Sequence, residues 1–371
     1  MALLDIALVR SSTTINLDRR TPNIYRSLSK RYSTLVLGWN RQGISREVIS
    51  QTANEPLLHL KLFNLKAPVG TPSLIAYLPL FWLWILIELF VHKPNVVHAC
   101  DLDTVLPCYI YKIVFRKKMV FDVFDRYAMA FIPPKFRTLY SFVNSLEDLF
   151  ASKSDVLLNV SDELQRTFVR KPKHCVTIMN CPHELDVPVD KSETDVLTLA
   201  FMGHVRKGRG LEQMATAVKD LEGVELVVAG QVTDRKLLDD ILKIPNVQYR
   251  GWLPFSEALE VEASSDVMIA LYDSGDPINK FSMGSKIFES MMCGIPLITN
   301  VTHDLIKEIG CGMIVEYNDI DQIKATIINL RDNKDLRTLL GKNGRKAFLE
   351  KYNWTAMEDK LYKIYENLLP K

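Results

Sequence analysis

Asn279-Lys-Phe-Ser-Met-Gly-Ser-Lys-Ile-Phe-Glu-Ser-Met-Met-Cys-Gly-Ile-Pro-Leu-Ile-Thr-Asn300 is the stretch from which the rest of the chain reads outward. A small-residue loop, Ser282 to Ser285, enters a helix expected over Lys286 to Cys293; Gly294 closes it, and Pro296 opens a short apolar strand, Leu297 to Thr299. The unpaired amides at a helix start favour an anion, and Gly284 lets a phosphate approach the backbone closely. Glu289 follows Lys286 by one turn on the same helical face, so a cation for phosphate and a carboxylate for a ribose diol face one pocket. Taken alone, the pattern equally describes a capped surface helix with an i,i+3 ion pair.

A second stretch upstream narrows that choice. Gly203-His-Val-Arg-Lys-Gly-Arg-Gly210 follows a predicted strand and opens a predicted helix, which is the context of a phosphate loop. Arg206, Lys207 and Arg209 add cationic donors, and arginine can engage two phosphate oxygens at once. The spacing matches neither the dinucleotide G-x-G-x-x-G nor the P-loop G-x-x-x-x-G-K-[ST].

Around these loops the chain alternates strand and helix. Strands are expected at Leu3 to Val9, Thr34 to Leu37, Leu57 to Phe63, Asn95 to Ala99, Met119 to Phe124, Val156 to Val160 and Val176 to Met179, with helical patterns between several of them. The charged stretch Asp186 to Thr194 reads as a linker. A second series then runs from Val196 to Val315, and three helices end the chain, Ile320 to Asp332, Asp335 to Tyr352 and Trp354 to Leu369. Interleaved strands and helices predict an α/β protein: two doubly wound parallel sheets in tandem, each placing ligands at the carboxyl ends of its strands, with a cleft between the domains.

Composition excludes several classes. The 371 residues are 47% hydrophobic, enough for two cores, and a net charge of +2 argues against nucleic acid as a partner. Cysteines at 100, 108, 175, 181, 293 and 311 form no C-x-x-C pair and lie mostly in apolar runs, so neither a disulfide framework nor a zinc site is expected. No basic n-region followed by an apolar h-region opens the chain, which gives no expectation of a signal peptide. Leu74 to Val91 is apolar apart from Glu88 and long enough to span a bilayer. A carboxylate there costs about 2.5 to 3.5 kcal/mol on insertion scales, and a span would split strands that belong to one sheet, so a buried or interface-lying helix is expected. Arg116-Lys-Lys118 marks either a solvated turn or a contact for anionic lipid.

In the first half, Asp101-Leu-Asp103 has the D-x-D form of some metal-binding sugar-transfer enzymes, but Asp101 reads better as a helix N-cap. His98 fits a core histidine and a cleft residue equally. Asp122 and Asp125, at the end of one strand, can accept from a sugar hydroxyl or serve as turn caps. Asp18-Arg-Arg20 offers an anchor for an anionic or polyol acceptor. No G-x-S-x-G elbow is present, which disfavours covalent hydrolase chemistry.

Together these residues resemble the family-4 glycosyltransferases of the GT-B fold over nearly the full length. Gly203 to Gly210 looks like that family's glycine-and-basic loop, with Arg209 at the position that contacts the donor diphosphate. Glu289-Ser-Met-Met-Cys-Gly-Ile-Pro296 resembles its glutamate, methionine, glycine and proline run, in which the glutamate binds the ribose. The resemblance implies an acceptor-binding domain over 1–188, a donor domain over 189–352, and a helix over 353–371 packing back on the first domain. It implies donor binding by Gly203, Arg206, Arg209, Gly284, Ser285, Lys286 and Glu289, catalysis by Arg209 and Lys286, and acceptor binding by Asp18, Arg20 and His98. The reaction implied is retaining transfer of a sugar from a nucleoside diphosphate sugar to a glycan or lipid-linked acceptor hydroxyl. No metal or other cofactor is expected; a cytoplasmic location is expected, with Leu74 to Val91 the candidate for peripheral contact at the inner membrane face. Two departures stand out: Phe281 replaces a glutamate that contacts the donor sugar, and Phe124 replaces a histidine. Asp125, and Asp276 or Asn279, are the substitutes nearest in sequence. The alternatives are a non-catalytic nucleotide-sugar binder partnering another transferase, a nucleotide-sugar epimerase of the same fold and, more remotely, a dehydrogenase, which lacks its glycine fingerprint.

Overall fold

The structure is a computed structural model describing residues 4–11, 20–44, 59–68, 71–133, 135–185, 195–276, 279, 283–301 and 303–369. Asp18, Phe281 and the expected linker from Asp186 to Thr194 lie outside the described residues. The chain divides into two units, one of residues Met1–Met179 with Met357–Lys371 and one of Asn180–Ala356.

The first unit holds a wholly parallel seven-stranded sheet, ordered β3-β2-β1-β4-β5-β6-β7. Its strands are β1 (Ile6–Arg10), β2 (Thr34–Trp39), β3 (Leu60–Phe63), β4 (Val96–Cys100), β5 (Lys118–Val123), β6 (Val156–Asn159) and β7 (His174–Thr177). Helices α1 (Arg20–Ser29), α2 (Leu78–His92), α3 (Leu102–Phe115), α4 (Tyr127–Phe131), α5 (Arg137–Lys153) and α6 (Asp162–Arg166) join them. Successive strand residues face opposite sides, and odd-numbered residues supply one of them. Ala7, Leu37, Val97 and Phe121 pack with Phe81 and Ile85 of α2, Tyr111 of α3 and Phe150 of α5 in one apolar core. Even-numbered His98 and Asp122 meet Tyr365 and Arg20 instead.

The second unit carries a wholly parallel six-stranded sheet, ordered β10-β9-β8-β11-β12-β13. Its strands are β8 (Leu197–Met202), β9 (Val224–Ala229), β10 (Val247–Tyr249), β11 (Val267–Ala270), β12 (Leu297–Thr299) and β13 (Gly312–Ile314). The helices are α7 (Leu211–Val218), α8 (Arg235–Ile241), α9 (Phe255–Ser264), α10 (Ser285–Cys293), α11 (His303–Ile309), α12 (Ile320–Asp332) and α13 (Lys334–Glu350). A last helix, α14 (Trp354–Leu368), belongs to the first unit from Met357 onward.

Local chemistry sets many of these boundaries. Asp234, Asp319 and Asn333 cap their helices by accepting from the backbone N–H three residues on, and Gly294 ends α10 in the left-handed conformation. Two short helices, α4 and α11, are absent from the sequence expectation because neither is long enough to show an apolar period. The Asp101 side chain does not cap α3. It accepts from the Phe124 N–H at 2.9 Å and pairs with Arg10, while its own backbone is held at φ 64° and ψ 171°. That region is essentially reserved for glycine, so the surrounding contacts hold a strained residue at the end of β4.

Candidate active site

The carboxyl ends of β8, β11 and β12 bring the two quoted stretches together. After β8 the chain enters the loop from Gly203 to Gly210, whose Val205 forms a bridge with Val232 and whose Gly208 carbonyl accepts from the Asp273 N–H at 3.0 Å. Gly210, at the N-cap of α7, has φ 73°, and a Cβ on it would lie 2.3 Å from the Leu271 Cβ. The loop is therefore pinned against the end of β11 by a backbone contact no other residue permits.

Tyr272, directly beyond β11, joins the two halves. Asn300 accepts from its N–H at 2.8 Å and donates to its carbonyl at 2.7 Å, clamping it at the strand end. Its ring lies 5.0 Å from the Arg209 guanidinium carbon, a cation–π distance. Its hydroxyl reaches Gly284 so closely that a Cβ there would come within 2.5 Å. Burial lowers the Arg209 pKa, and neighbouring Arg206 adds to the effect. Arg206 and Lys207 are exposed. Gly284 and Ser285 begin α10 without any side-chain cap, leaving first-turn N–H groups directed at the same end of the sheet. The Asn279 side chain secures this edge by donating to the Asp273 carbonyl at 2.8 Å, and Asp276 contributes negative charge near Arg209.

Lys286 occupies a different setting from the one its spacing suggests. Its Nζ lies 2.6 Å from Glu289 and 2.5 Å from Glu262, a residue of α9. Both carboxylates are buried, at 0% and 1% exposure, while the lysine side chain keeps 21%. Burial alone would lower the lysine's pKa, but the two carboxylates hold it well above its ordinary value. One cation thus serves two buried acids. The helical pattern revealed the Glu289 partner; Glu262 lies 24 residues upstream of Lys286 and only the tertiary fold brings it in. Tyr272 and Asn300 were equally absent from the expected site.

The first unit treats its expected acceptor residues otherwise. Arg20 and His98 are brought together, but around Asp122 and inside the fold. Arg20 Nε lies 3.0 Å from Asp122 Oδ2 and Nη2 lies 2.6 Å from Oδ1; His98 Nε2 is 3.2 Å from Oδ2, and His98 Nδ1 is 2.5 Å from the Tyr365 hydroxyl. Arg20 also donates to the Ile178 carbonyl. Burial opposes ionisation of Asp122, yet Arg20 and His98 hold its carboxyl well below the usual range. Arg20 is 2% and His98 0% exposed, so in this structure both belong to a buried polar network. His98, Cys100 and Asp122 also bring possible metal-ligand atoms within 4.8 Å of one another. The Arg20 guanidinium already neutralises that carboxylate, which makes the cluster a poor cation site.

Phe124 and Asp125 at this end of the first sheet are both half-buried. The Arg10 and Arg20 guanidinium carbons lie 3.9 and 5.2 Å from the Phe124 ring centre. The Asp101 carboxyl is pushed up to about 6, chiefly by burial.

Residues 184–347 match the family model described as Glycosyl transferases group 1. That match lies within the second unit. The chain is 22% identical over 301 residues to the uncharacterized glycosyltransferase MJ1069 of Methanocaldococcus jannaschii, covering 72% of this chain and 73% of that one. Anabaena Alr3699/HepE, solved in complex with UDP, superposes with a TM-score of 0.77 at 12% identity, covering 98% of this chain and 100% of the other. Sucrose-phosphate synthase from Thermosynechococcus elongatus gives 0.72 at 17% identity, covering 98% and 99%. The fold is accordingly GT-B, with one Rossmann-like sheet in each unit, and the protein is a glycosyltransferase.

Proposed function

We propose that this glycosyltransferase moves a sugar from a nucleoside diphosphate sugar, with UDP as the nucleotide, to the hydroxyl of a glycan or lipid-linked acceptor, with retention at the anomeric carbon. The observation that carries the reading is the convergence of Arg209 and the uncapped start of α10 on Tyr272, with exposed Arg206 and Lys207 in the same loop as Arg209. A departing diphosphate needs positive charge and fixed N–H donors more than a covalent nucleophile, and this edge of the sheet supplies both. The UDP complex of the Anabaena structure supports the choice of nucleotide. In this reading Arg209 and Lys286 stabilise the leaving diphosphate without a metal, and Glu289 takes the ribose once the nucleotide displaces part of its pairing with Lys286. Asp125 is the carboxylate proposed to orient the acceptor hydroxyl in place of the histidine replaced by Phe124. The site of action proposed is the cytoplasmic face of the membrane.

The test is UDP binding by calorimetry together with transfer from UDP-sugars, for the wild type and two variants. Arg209→Ala should lower transfer by at least about a hundredfold while the fold survives, the scale of losing one transition-state donor. Lys286→Ala takes the lysine from two buried carboxylates, so it is paired with Lys286→Ala/Glu262→Gln, which restores the net charge of the trio. Full transfer by Arg209→Ala and by the folded double variant would overturn the reading.

A further inference from the structure

We infer that the helical layer formed by α2, α3 and α5 is a docking surface that lies on a bilayer containing anionic lipid. The inference is independent of the transfer chemistry. It rests on three helices rather than on the apolar run of α2 alone. Helix α2 packs on α3, and α3 on α5. All three cover the odd-numbered face of the first sheet, so their outward sides form one surface. Along α2 the stripe Leu78, Phe81, Ile85 and Leu89 is buried in the core, while the opposite stripe of Leu80, Leu83 and Ile87 is more than half exposed. Ile113 and Val114 continue that outward surface on α3, and Leu139 and Phe142 on α5; Phe131 and Phe136 flank the entry to α5, and all six are more than half exposed. Soluble monomers seldom leave so large an apolar area uncovered.

Charge selects the occupant. The acids on the three helices are withdrawn: Asp103, Glu147 and Asp148 are buried, and Glu88 is held by Lys61 at 2.8 Å and lies 3.4 Å from His92. Asp155, just beyond α5, is paired with Lys112 and Lys118. The exposed charges at the helix ends are Lys93, Arg116, Lys135, Arg137 and Lys153, all cationic. An apolar face with withdrawn acids and a basic margin is complementary to acyl chains beneath anionic head groups. Because the inner stripe of α2 is the cover of the sheet, the helix lies in the interface and does not cross it.

The test uses the full chain and sedimentation with phosphatidylcholine vesicles, with and without phosphatidylglycerol. Binding is expected to the anionic vesicles, at least about tenfold stronger than to neutral ones and weakened by salt, as several basic residues near the surface imply. Leu83→Glu/Ile87→Glu should abolish it, and so should Ile113→Glu/Phe142→Glu on the other two helices, which covers the case in which the first pair misfolds. Arg116→Glu should weaken binding several-fold with circular dichroism unchanged. Failure to bind anionic vesicles would overturn the inference. So would a self-association that the glutamate pairs dissolve, which would give the face to a second copy of the chain.

Discussion

The first unit gathers charge inside its sheet and the second leaves charge at the edge of its sheet, although both are parallel α/β layers of the same design. Around Asp122, every partner is internal: Arg20, His98 and, through the histidine, Tyr365 from the last helix. Around Tyr272, the cation Arg209 is stacked on the ring, no carboxylate among the described residues forms an ion pair with it, and the start of α10 has no side-chain cap. The lesson is that a buried carboxylate beside a cation at a strand's carboxyl end competes with any ligand for that charge. Arg20 and Arg209 look equivalent as sequence, each near a predicted strand and at a helix start; Asp122 makes the difference.

The sharpest break in this comparison is Asp122→Asn. It removes the carboxylate paired with buried Arg20 and should destabilise the first unit by about 3–5 kcal/mol. Urea unfolding followed by near-UV circular dichroism reads the loss. If stability falls by less than about 1 kcal/mol, the network is wet and its residues are available to ligands after all. Gly210→Ala is the matching change in the second unit. A Cβ forced against Leu271 at positive φ should cost about 2–3 kcal/mol and weaken UDP binding, because the loop can no longer lie against β11. Wild-type affinity for UDP in this variant would disconnect the loop from the donor.

A pH dependence separates the units further. Arg126 serves both Glu147 at 2.9 Å and Asp148 at 2.7 Å, and burial pushes the Glu147 carboxyl up to about 8. Below the unfolded carboxylate pKa, about 4.3, both states hold the proton; between there and about 8 only the folded state keeps it. Stability therefore falls as pH rises through that window, by about 1–3 kcal/mol, and levels off above it. Asp101, pushed up to about 6, adds to the same slope at its lower end. Glu147→Gln should flatten the profile in urea melts between pH 5 and pH 8.5, and an unchanged slope would show that Glu147 is ionised throughout.

Fold and site differ in how far they were legible. Apolar runs bounded by glycine, proline and charge located the strands within a few residues, since parallel strands buried on both faces leave no other reading. Interleaving then implied the doubly wound sheets. The donor edge was legible through glycine spacing and basic residues, which act locally. What was not legible is pairing across the fold: His98 read equally as core or cleft until Asp122 and Tyr365 enclosed it, and Tyr365 lies 267 residues away. Glu262 is the same case, an unremarkable helical acid until α9 brings it to Lys286.

That pairing yields the finest test of the contrast. Lys286 belongs to both categories, stacked into a site by its helix yet claimed by two buried carboxylates, a trio with one net negative charge. A nucleotide diphosphate approaching α10 meets that charge and must draw the ammonium partly away from its partners. Glu262→Gln removes one claim and the negative excess while keeping a hydrogen-bond acceptor, so UDP should bind several-fold more tightly, a gain of about 1 kcal/mol. Glu289→Gln removes the same charge but also the carboxylate proposed for the ribose, and UDP should then bind no better, or more weakly. Calorimetry on the two variants distinguishes the roles. Equal tightening would make both glutamates mere restraints on Lys286, and equal loss would make the trio a structural element that the donor never opens.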